Sequence, residues 1–131
     1  MDTTRVLIDL NTQRDFLAKN GSAKVINRKA ILPRIRLAFR WARRHGVPVV
    51  STLDSHKASE IDLSFPRHCV DGTPGQGKMA FTLMADHFLI QADNTYDLPI
   101  DLLERHKQIL LFKRTPDIMS HPKADRLFTE M

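Results

Sequence analysis

Short apolar runs alternate with one long helical pattern along this chain. Residues 5–9 (RVLID), 47–53 (VPVVSTL) and 108–113 (QILLFK) have the look of buried parallel strands. Residues 87–91 (HFLIQ) predict a short edge strand. Between the first two runs, apolar residues recur at helical spacing over residues 31–42. A strand, a helix and a strand in close succession predict a βαβ unit in a parallel sheet.

Proline and glycine positions set the expected helix limits. The long helix is predicted to be firmest from about Pro33, because proline suits a first helical turn, and to end at Gly46. Two short helices are predicted over residues 99–106 and 122–131. Residues 11–22 read as a polar loop.

A second, longer loop is predicted over residues 54–78, which show no clear period. A loop of this length inside a compact domain usually carries function.

Composition indicates one globular domain. The chain has 131 residues, 42% of them hydrophobic and 27% charged. No apolar run approaches the roughly 20 residues of a membrane span, and the first dozen residues do not resemble a signal peptide. The single cysteine, Cys69, cannot form an internal disulfide, so a cytoplasmic location is expected.

The charge balance raises nucleic acid as a partner. Lys and Arg number 20 against 15 Asp and Glu, a net charge of +5. Arg36, Arg40, Arg43 and Arg44 fall on one face of the long helix. A solvated outer face is favoured over a nucleic-acid surface, because no aromatic residues interleave with these arginines.

Polar residues at the predicted strand ends are the first candidates for chemistry, because ligands of open parallel sheets bind beyond the carboxyl ends of the strands. They are Asp9 after the first strand, Asp54 and His56 after the second, and Lys113 after the last. The alternatives are a turn cap for Asp9 and a solvated strand end for Lys113.

Three motifs, in family order, resemble the isochorismatase-like cysteine hydrolases, the superfamily that contains nicotinamidases. Residues 9–16 (DLNTQRDF) resemble its opening signature, and residues 65–76 (FPRHCVDGTPGQ) its HCV-x-GTPG element. Residues 112–122 (FKRTPDIMSHP) are similar to its lysine strand and the following turn. The resemblance implies an α/β fold, a three-layer Rossmann-like parallel sheet, of which this chain holds the N-terminal half of the usual six strands.

The resemblance also implies an Asp-Lys-Cys triad. Asp9 matches the general base, and Lys113 matches the lysine that lowers the pKa of the nucleophilic thiol. That cysteine normally lies beyond the lysine strand, and the sequence ends at Met131 before this point. A lone cysteine is by itself a candidate nucleophile, but Cys69 matches the non-catalytic cysteine of the HCV element, so packing is expected for it.

A metal site is implied at Asp54, His56 and His68, because the matching residues of nicotinamidases hold a divalent ion. One carboxylate and two imidazoles suit zinc, iron or manganese, and no organic cofactor is expected. A further histidine of many nicotinamidases has no counterpart in residues 57–63. Surface positions are expected for the remaining histidines: His45, His87, His106 and His121.

The opening signature departs from the common form. Two extra residues separate Asp9 from the Asp15-Phe16 pair. The shift leaves open whether Gln13 and Asp15 contact substrate.

The leading functional hypothesis is nicotinamidase-like hydrolysis of a small amide, preferred to isochorismatase-type enol-ether hydrolysis because Asp54 and His56 are present. The alternative is a non-catalytic truncated homologue that binds a metal or small molecule, or pairs with a partner chain. Residues 1–131 are read as one C-terminally incomplete domain, marginally stable with an unpaired first strand. A homo-oligomer is expected, and a membrane partner is not.

Overall fold

The fold is built on a parallel sheet of four strands. The computed structural model describes residues 5–60, 65–91, 98–99 and 101–129. The strands are β1 (Leu7–Leu10), β2 (Val49–Asp54), β3 (His87–Ile90) and β4 (Gln108–Lys113), in the order β1-β2-β4-β3. The α/β parallel sheet is confirmed, and the predicted edge strand is β3. The described sheet therefore has four strands, which are the three that the buried apolar runs indicated and the predicted edge strand.

Four α-helices accompany the sheet within the described ranges. They are α1 (Arg14–Leu17), α2 (Arg28–His45), α3 (Leu102–Arg105) and α4 (Ala124–Thr129). The end of α2 at Gly46 is confirmed, because Gly46 has a φ of 61° and its N–H bonds to the Ala42 carbonyl. Its start is five residues earlier than Pro33, which lies inside the helix. The prediction of a loop over residues 11–22 was wrong at residues 14–17, where α1 forms. Residues 130–131 of the predicted tail helix lie outside the described residues.

Helices cover both faces of the sheet. On one face, Val49 packs against Phe39 and Ala42 of α2. On the other, Val50 belongs to a cluster with residues of β4, α3 and α4, including Leu111, Leu102 and Leu127. The arginines of α2 are exposed, as predicted for a solvated face: Arg36, Arg40, Arg43 and Arg44. No described helix is both long and apolar enough to cross a membrane.

The outer edge of β1 carries exposed apolar side chains. In the described sheet β1 pairs only with β2, and Ile8 and Leu10 are 44% and 59% exposed. An apolar edge strand with unpaired backbone groups is a site for pairing with another strand.

We expect Leu10→Lys to reduce self-association of the 131-residue chain, because a charge on an edge strand opposes strand addition. The free energy of unfolding should change by about 0.5 kcal/mol or less, since Leu10 is exposed. Sedimentation velocity over a concentration series measures the association. Leu37→Lys on α2 is the matched control, since Leu37 is also 59% exposed. Equal effects of both substitutions would show that the β1 edge is not the contact surface.

Candidate metal centre and active site

The carboxyl ends of β2 and β4 bring Asp54 and Lys113 together. The two residues are register partners, and the Lys113 ammonium pairs with the Asp54 carboxylate. The side chain of Lys113 is only 1% exposed. A buried ammonium needs such a partner, so the alternative of a solvated strand end does not hold for Lys113.

His68 comes to this edge because its loop pairs with the segment after β2. The His56 N–H donates to the Cys69 carbonyl over 3.0 Å, and the Asp71 N–H donates to the His56 carbonyl over 2.8 Å. The rings of His56 and His68 then lie edge to face, with centroids 4.7 Å apart. The ligand atoms of Asp54, His56 and His68 all lie within 4.8 Å of one another. We call these three residues, which together could hold a metal ion, the metal-binding group.

The donor set fits a divalent metal. The Nδ1 of His56 lies 2.8 Å from Glu60 Oε2, and the Nδ1 of His68 lies 2.7 Å from the Pro66 carbonyl. When Nδ1–H donates to these oxygens, each Nε2 keeps its lone pair, which is the usual arrangement of metal-binding histidines. The N–H of Lys57, together with His56, holds the pKa of Glu60 below its ordinary value. Glu60 therefore stays ionised as the outer partner of His56.

Asp9 is held by a different cation. Its Oδ2 accepts hydrogen bonds from Lys78 Nζ at 2.6 Å, Ser51 Oγ at 2.7 Å and Thr12 Oγ1 at 3.1 Å. The side chains of Asp9 and Lys78 are 4% and 1% exposed. Burial lowers the pKa of Lys78, and the Asp9 charge opposes that shift. Nothing in the hydrophobic pattern singles out Lys78, which follows a glycine-containing turn.

Asp9 and Lys113 lie on opposite faces of the sheet. Asp9 is the register partner of Ser51, on the α2 face with Val49, whereas Lys113 is the partner of Asp54, on the other face. The catalytic pairing of Asp9 with Lys113 stays a prediction, and in the structure each has another partner.

The extra two residues of the opening signature explain this arrangement. Counting back from Asp15-Phe16 with the common spacing reaches Asn11, not Asp9. Asn11 has a φ of 57°, and its Oδ1 accepts a hydrogen bond of 3.0 Å from Thr52 Oγ1. Thr52 alternates with Ser51 along β2 and so lies on the Lys113 face. At the position reached by the common spacing, the side chain on the Lys113 face is therefore the amide of Asn11.

Comparison with known proteins identifies the fold. No protein-family model and no curated protein matches the chain. Among solved structures, a pyrazinamidase of Pyrococcus horikoshii in complex with zinc is 27% identical, with a TM-score of 0.56. A nicotinamidase/pyrazinamidase from Bacillus subtilis is 20% identical with a TM-score of 0.65, and an isochorismatase-like hydrolase from Alkaliphilus metalliredigens is 17% identical with a TM-score of 0.67. The chain has the isochorismatase-like fold. The resemblance inferred from the motifs is thereby confirmed.

These matches are unequal in coverage. The match to the pyrazinamidase covers 86% of this chain and 53% of the pyrazinamidase. The other two matches each cover 95% of this chain, but only 64% of the nicotinamidase and 60% of the isochorismatase-like hydrolase. The chain thus spans between about half and two thirds of the isochorismatase-like proteins it matches.

Cys69 is an unsuitable nucleophile in this isochorismatase-like fold. It is fully buried, with a φ of 49°, and its N–H donates to Asp15 Oδ2 over 2.7 Å. Burial, followed by the charges of Asp54 and Asp15, raises the pKa of the thiol from 9.0 to about 12, and Lys113 only partly opposes this shift. The position agrees with the packing role expected from the sequence.

The surface positions expected for the other histidines hold only in part. His45 and His87 are exposed, and His106 is half-buried beside Asp86. The expectation was wrong for His121, which is 3% exposed. Its Nε2 lies 2.9 Å from the Gln91 carbonyl, and its Nδ1 accepts from the Lys123 N–H. Two backbone partners compensate the burial of this ring.

Alkylation of Cys69 by iodoacetamide near pH 8 should be at least about 100-fold slower in the native chain than in the unfolded chain, because the thiolate is the reactive form. A folded pKa of about 12 against 9.0 leaves the native thiol protonated at this pH. The same shift predicts a stability contribution that is complete below pH 9 and lost as the pH rises towards 12. Mass spectrometry of time points, with a guanidinium-unfolded sample as the control, measures the alkylation rates of the native and the unfolded chain. Comparable rates would contradict the buried, protonated state.

Proposed function

We propose that this chain forms the metal-binding and lysine-bearing part of a nicotinamidase-like hydrolase of a small amide. The observation that carries the proposal is the convergence of the metal-binding group beside the buried Lys113 at the carboxyl ends of β2 and β4. The amide class is supported by the similarity to a nicotinamidase and to a zinc-containing pyrazinamidase. A nucleophilic thiol from outside these 131 residues completes the proposed triad.

In this proposal Lys113 supplies a fixed positive charge. Its ammonium is buried, so its field at a neighbouring thiol or at a developing oxyanion is weakly screened by water, although the carboxylate of Asp54 offsets part of it. That field lowers the pKa of the attacking thiol and stabilises the negative charge that forms when the thiolate adds to the amide carbon. A divalent metal held by the metal-binding group would offer open positions to water or to a ring nitrogen of the substrate.

The general base is the second part of the proposed triad. The resemblance gives this role to Asp9, whereas the geometry supports Lys113 more strongly than Asp9 as a residue of the site. The Asp9 carboxylate is engaged by Lys78, Ser51 and Thr12 on the α2 face. A base role for Asp9 therefore requires its carboxylate to leave these partners, whereas the ammonium of Lys113 already lies beside the metal-binding group.

A second candidate function is binding of a metal or small molecule without turnover. The state of Cys69 favours it, because the single thiol of the chain is buried and protonated. A cytoplasmic location and a homo-oligomeric state belong to both proposals.

The metal-binding group should bind Co²⁺ or Zn²⁺ in the metal-free chain, and removal of one ligand should weaken binding by about 100-fold or more. The variants are His56→Ala and His68→Ala, and His45→Ala, an exposed histidine of α2, is the control. Isothermal titration gives the affinities. Equal weakening by the control, or no binding by the wild-type chain, would falsify the metal site.

Turnover separates the two candidate functions. If the chain with its completing thiol is a nicotinamidase-like hydrolase, it releases ammonia from nicotinamide or pyrazinamide, and Lys113→Met lowers kcat by about 100-fold or more. Lys107→Met, an exposed lysine beyond the other end of β4, is the control. Metal binding with no ammonia release from the protein as isolated from its source would instead support the non-catalytic function.

A further inference from the structure

The loop after β1 contains a fully buried glutamine that is bonded to the backbone of a metal-binding residue. Gln13 is 0% exposed. Its Nε2 donates to the Asp54 carbonyl over 2.9 Å, and its Oε1 accepts from the Asp54 N–H over 2.8 Å. The Nε2 also donates to the Gln76 carbonyl over 2.8 Å. One amide thus satisfies both backbone groups of Asp54.

The need for this amide arises from unequal strand lengths. The pairing of β1 with β2 ends at Leu10 and Thr52, whereas β2 pairs with β4 as far as Asp54 and Lys113. Backbone groups of alternate residues in a parallel strand point to the same neighbour. The groups of Asp54 therefore face the side where β1 has ended, and the Gln13 amide takes the place of the missing strand.

The same loop also holds the segment that carries His68. Asp15 accepts the N–H of Cys69, the residue after His68, over 2.7 Å, and accepts the Ser22 N–H over 3.3 Å. The backbone of Gly75 packs directly against this carboxylate, and a Cβ at this position would overlap the Asp15 oxygens. Gln13 and Asp15 are therefore each bonded to one of the two segments that form the metal-binding group.

We infer that Gln13 is a positioning residue of the metal-binding group. Its amide fixes the backbone of Asp54 and, through Gln76, ties the turn after His68 to the end of β2. Full burial leaves Gln13 no surface for the substrate contact that the opening signature left open. Ligands held in place before the metal arrives give a higher affinity than ligands that must be ordered on binding. The inference rests on the proposed metal site.

Gln108 provides a matched control. It is also 0% exposed, and its amide also makes three hydrogen bonds, to Met84 N–H, Ser51 Oγ and the Thr82 carbonyl. It lies at the start of β4, at the opposite end of the strand from Lys113. Methionine at either position removes three side-chain hydrogen bonds with little change in side-chain volume.

The test compares Gln13→Met with Gln108→Met. Both should lose stability to a similar extent in urea unfolding. Only Gln13→Met should weaken Co²⁺ binding, by about 10-fold or more, and change the visible absorption of the bound Co²⁺. If Gln13→Met does not fold, Gln13→Glu, which keeps the shape and can accept the Asp54 N–H, replaces it. Wild-type affinity and an unchanged Co²⁺ spectrum in the Gln13 variant would overturn the inference.

Hydrogen exchange in the metal-free chain separates this inference from the metal proposal. Loss of the Gln13 amide should speed exchange of the Asp54 N–H by about 5-fold or more, whereas Gln108→Met should leave it within about 2-fold of wild type. If the wild-type chain binds no metal but this exchange pattern is found, the metal proposal fails and the positioning of Asp54 by Gln13 stands. If the Asp54 exchange rate is unchanged in the Gln13 variant, the inference fails whatever the metal affinity.

Discussion

The edge of the sheet that carries the metal-binding group depends on a mismatch in strand length. Strand β2 continues two residues beyond its pairing with β1, and its last residue is Asp54. A buried strand end with unpaired N–H and C=O groups would cost free energy comparable to lost hydrogen bonds. The segment after β1 folds back to satisfy these groups through Gln13. That return also forms α1 and brings Asp15 to Cys69. The bonds that satisfy the end of β2 thus belong to the same loop that holds the segment of His68 beside Asp54.

Two ion pairs, each with a buried lysine, lie on opposite faces of the sheet. Lys78 pairs with Asp9 on the α2 face, and Lys113 pairs with Asp54 on the other. Removing one partner of such a pair costs about 3–5 kcal/mol, because the remaining charge stays buried alone. Loss of either aspartate would therefore leave a buried lysine without its counter-charge. Lys113 thus lies beside the metal-binding group, whereas Lys78 links the end of the 54–78 segment to Asp9 of β1.

Regular periodicity explains which features could be predicted from the sequence. The limits of β4 follow from an apolar run and the end of α2 from Gly46, whereas the end of the second predicted strand drew attention to Asp54 and His56, and the HCV element to His68. The opening signature named Gln13 only as a candidate substrate contact. The bonding roles of Gln13 and Lys78 could not be predicted, because polar residues in irregular segments follow no period. Their partners lie 41 and 69 residues away in the sequence, and a single sequence does not reveal such contacts.

The backbone and the side chain of Cys69 have separate consequences. Its N–H is bonded to Asp15 and its carbonyl to the N–H of His56, so its backbone helps to fix His68 beside His56. Its thiol is buried, with a pKa of about 12, and has almost no thiolate near neutral pH. Cys69 therefore contributes to the site through its backbone. The proposed metal binding needs only side chains that this edge already brings together, whereas the proposed amide hydrolysis by a cysteine nucleophile needs a second, activated sulfur. The two candidate functions differ in that one requirement.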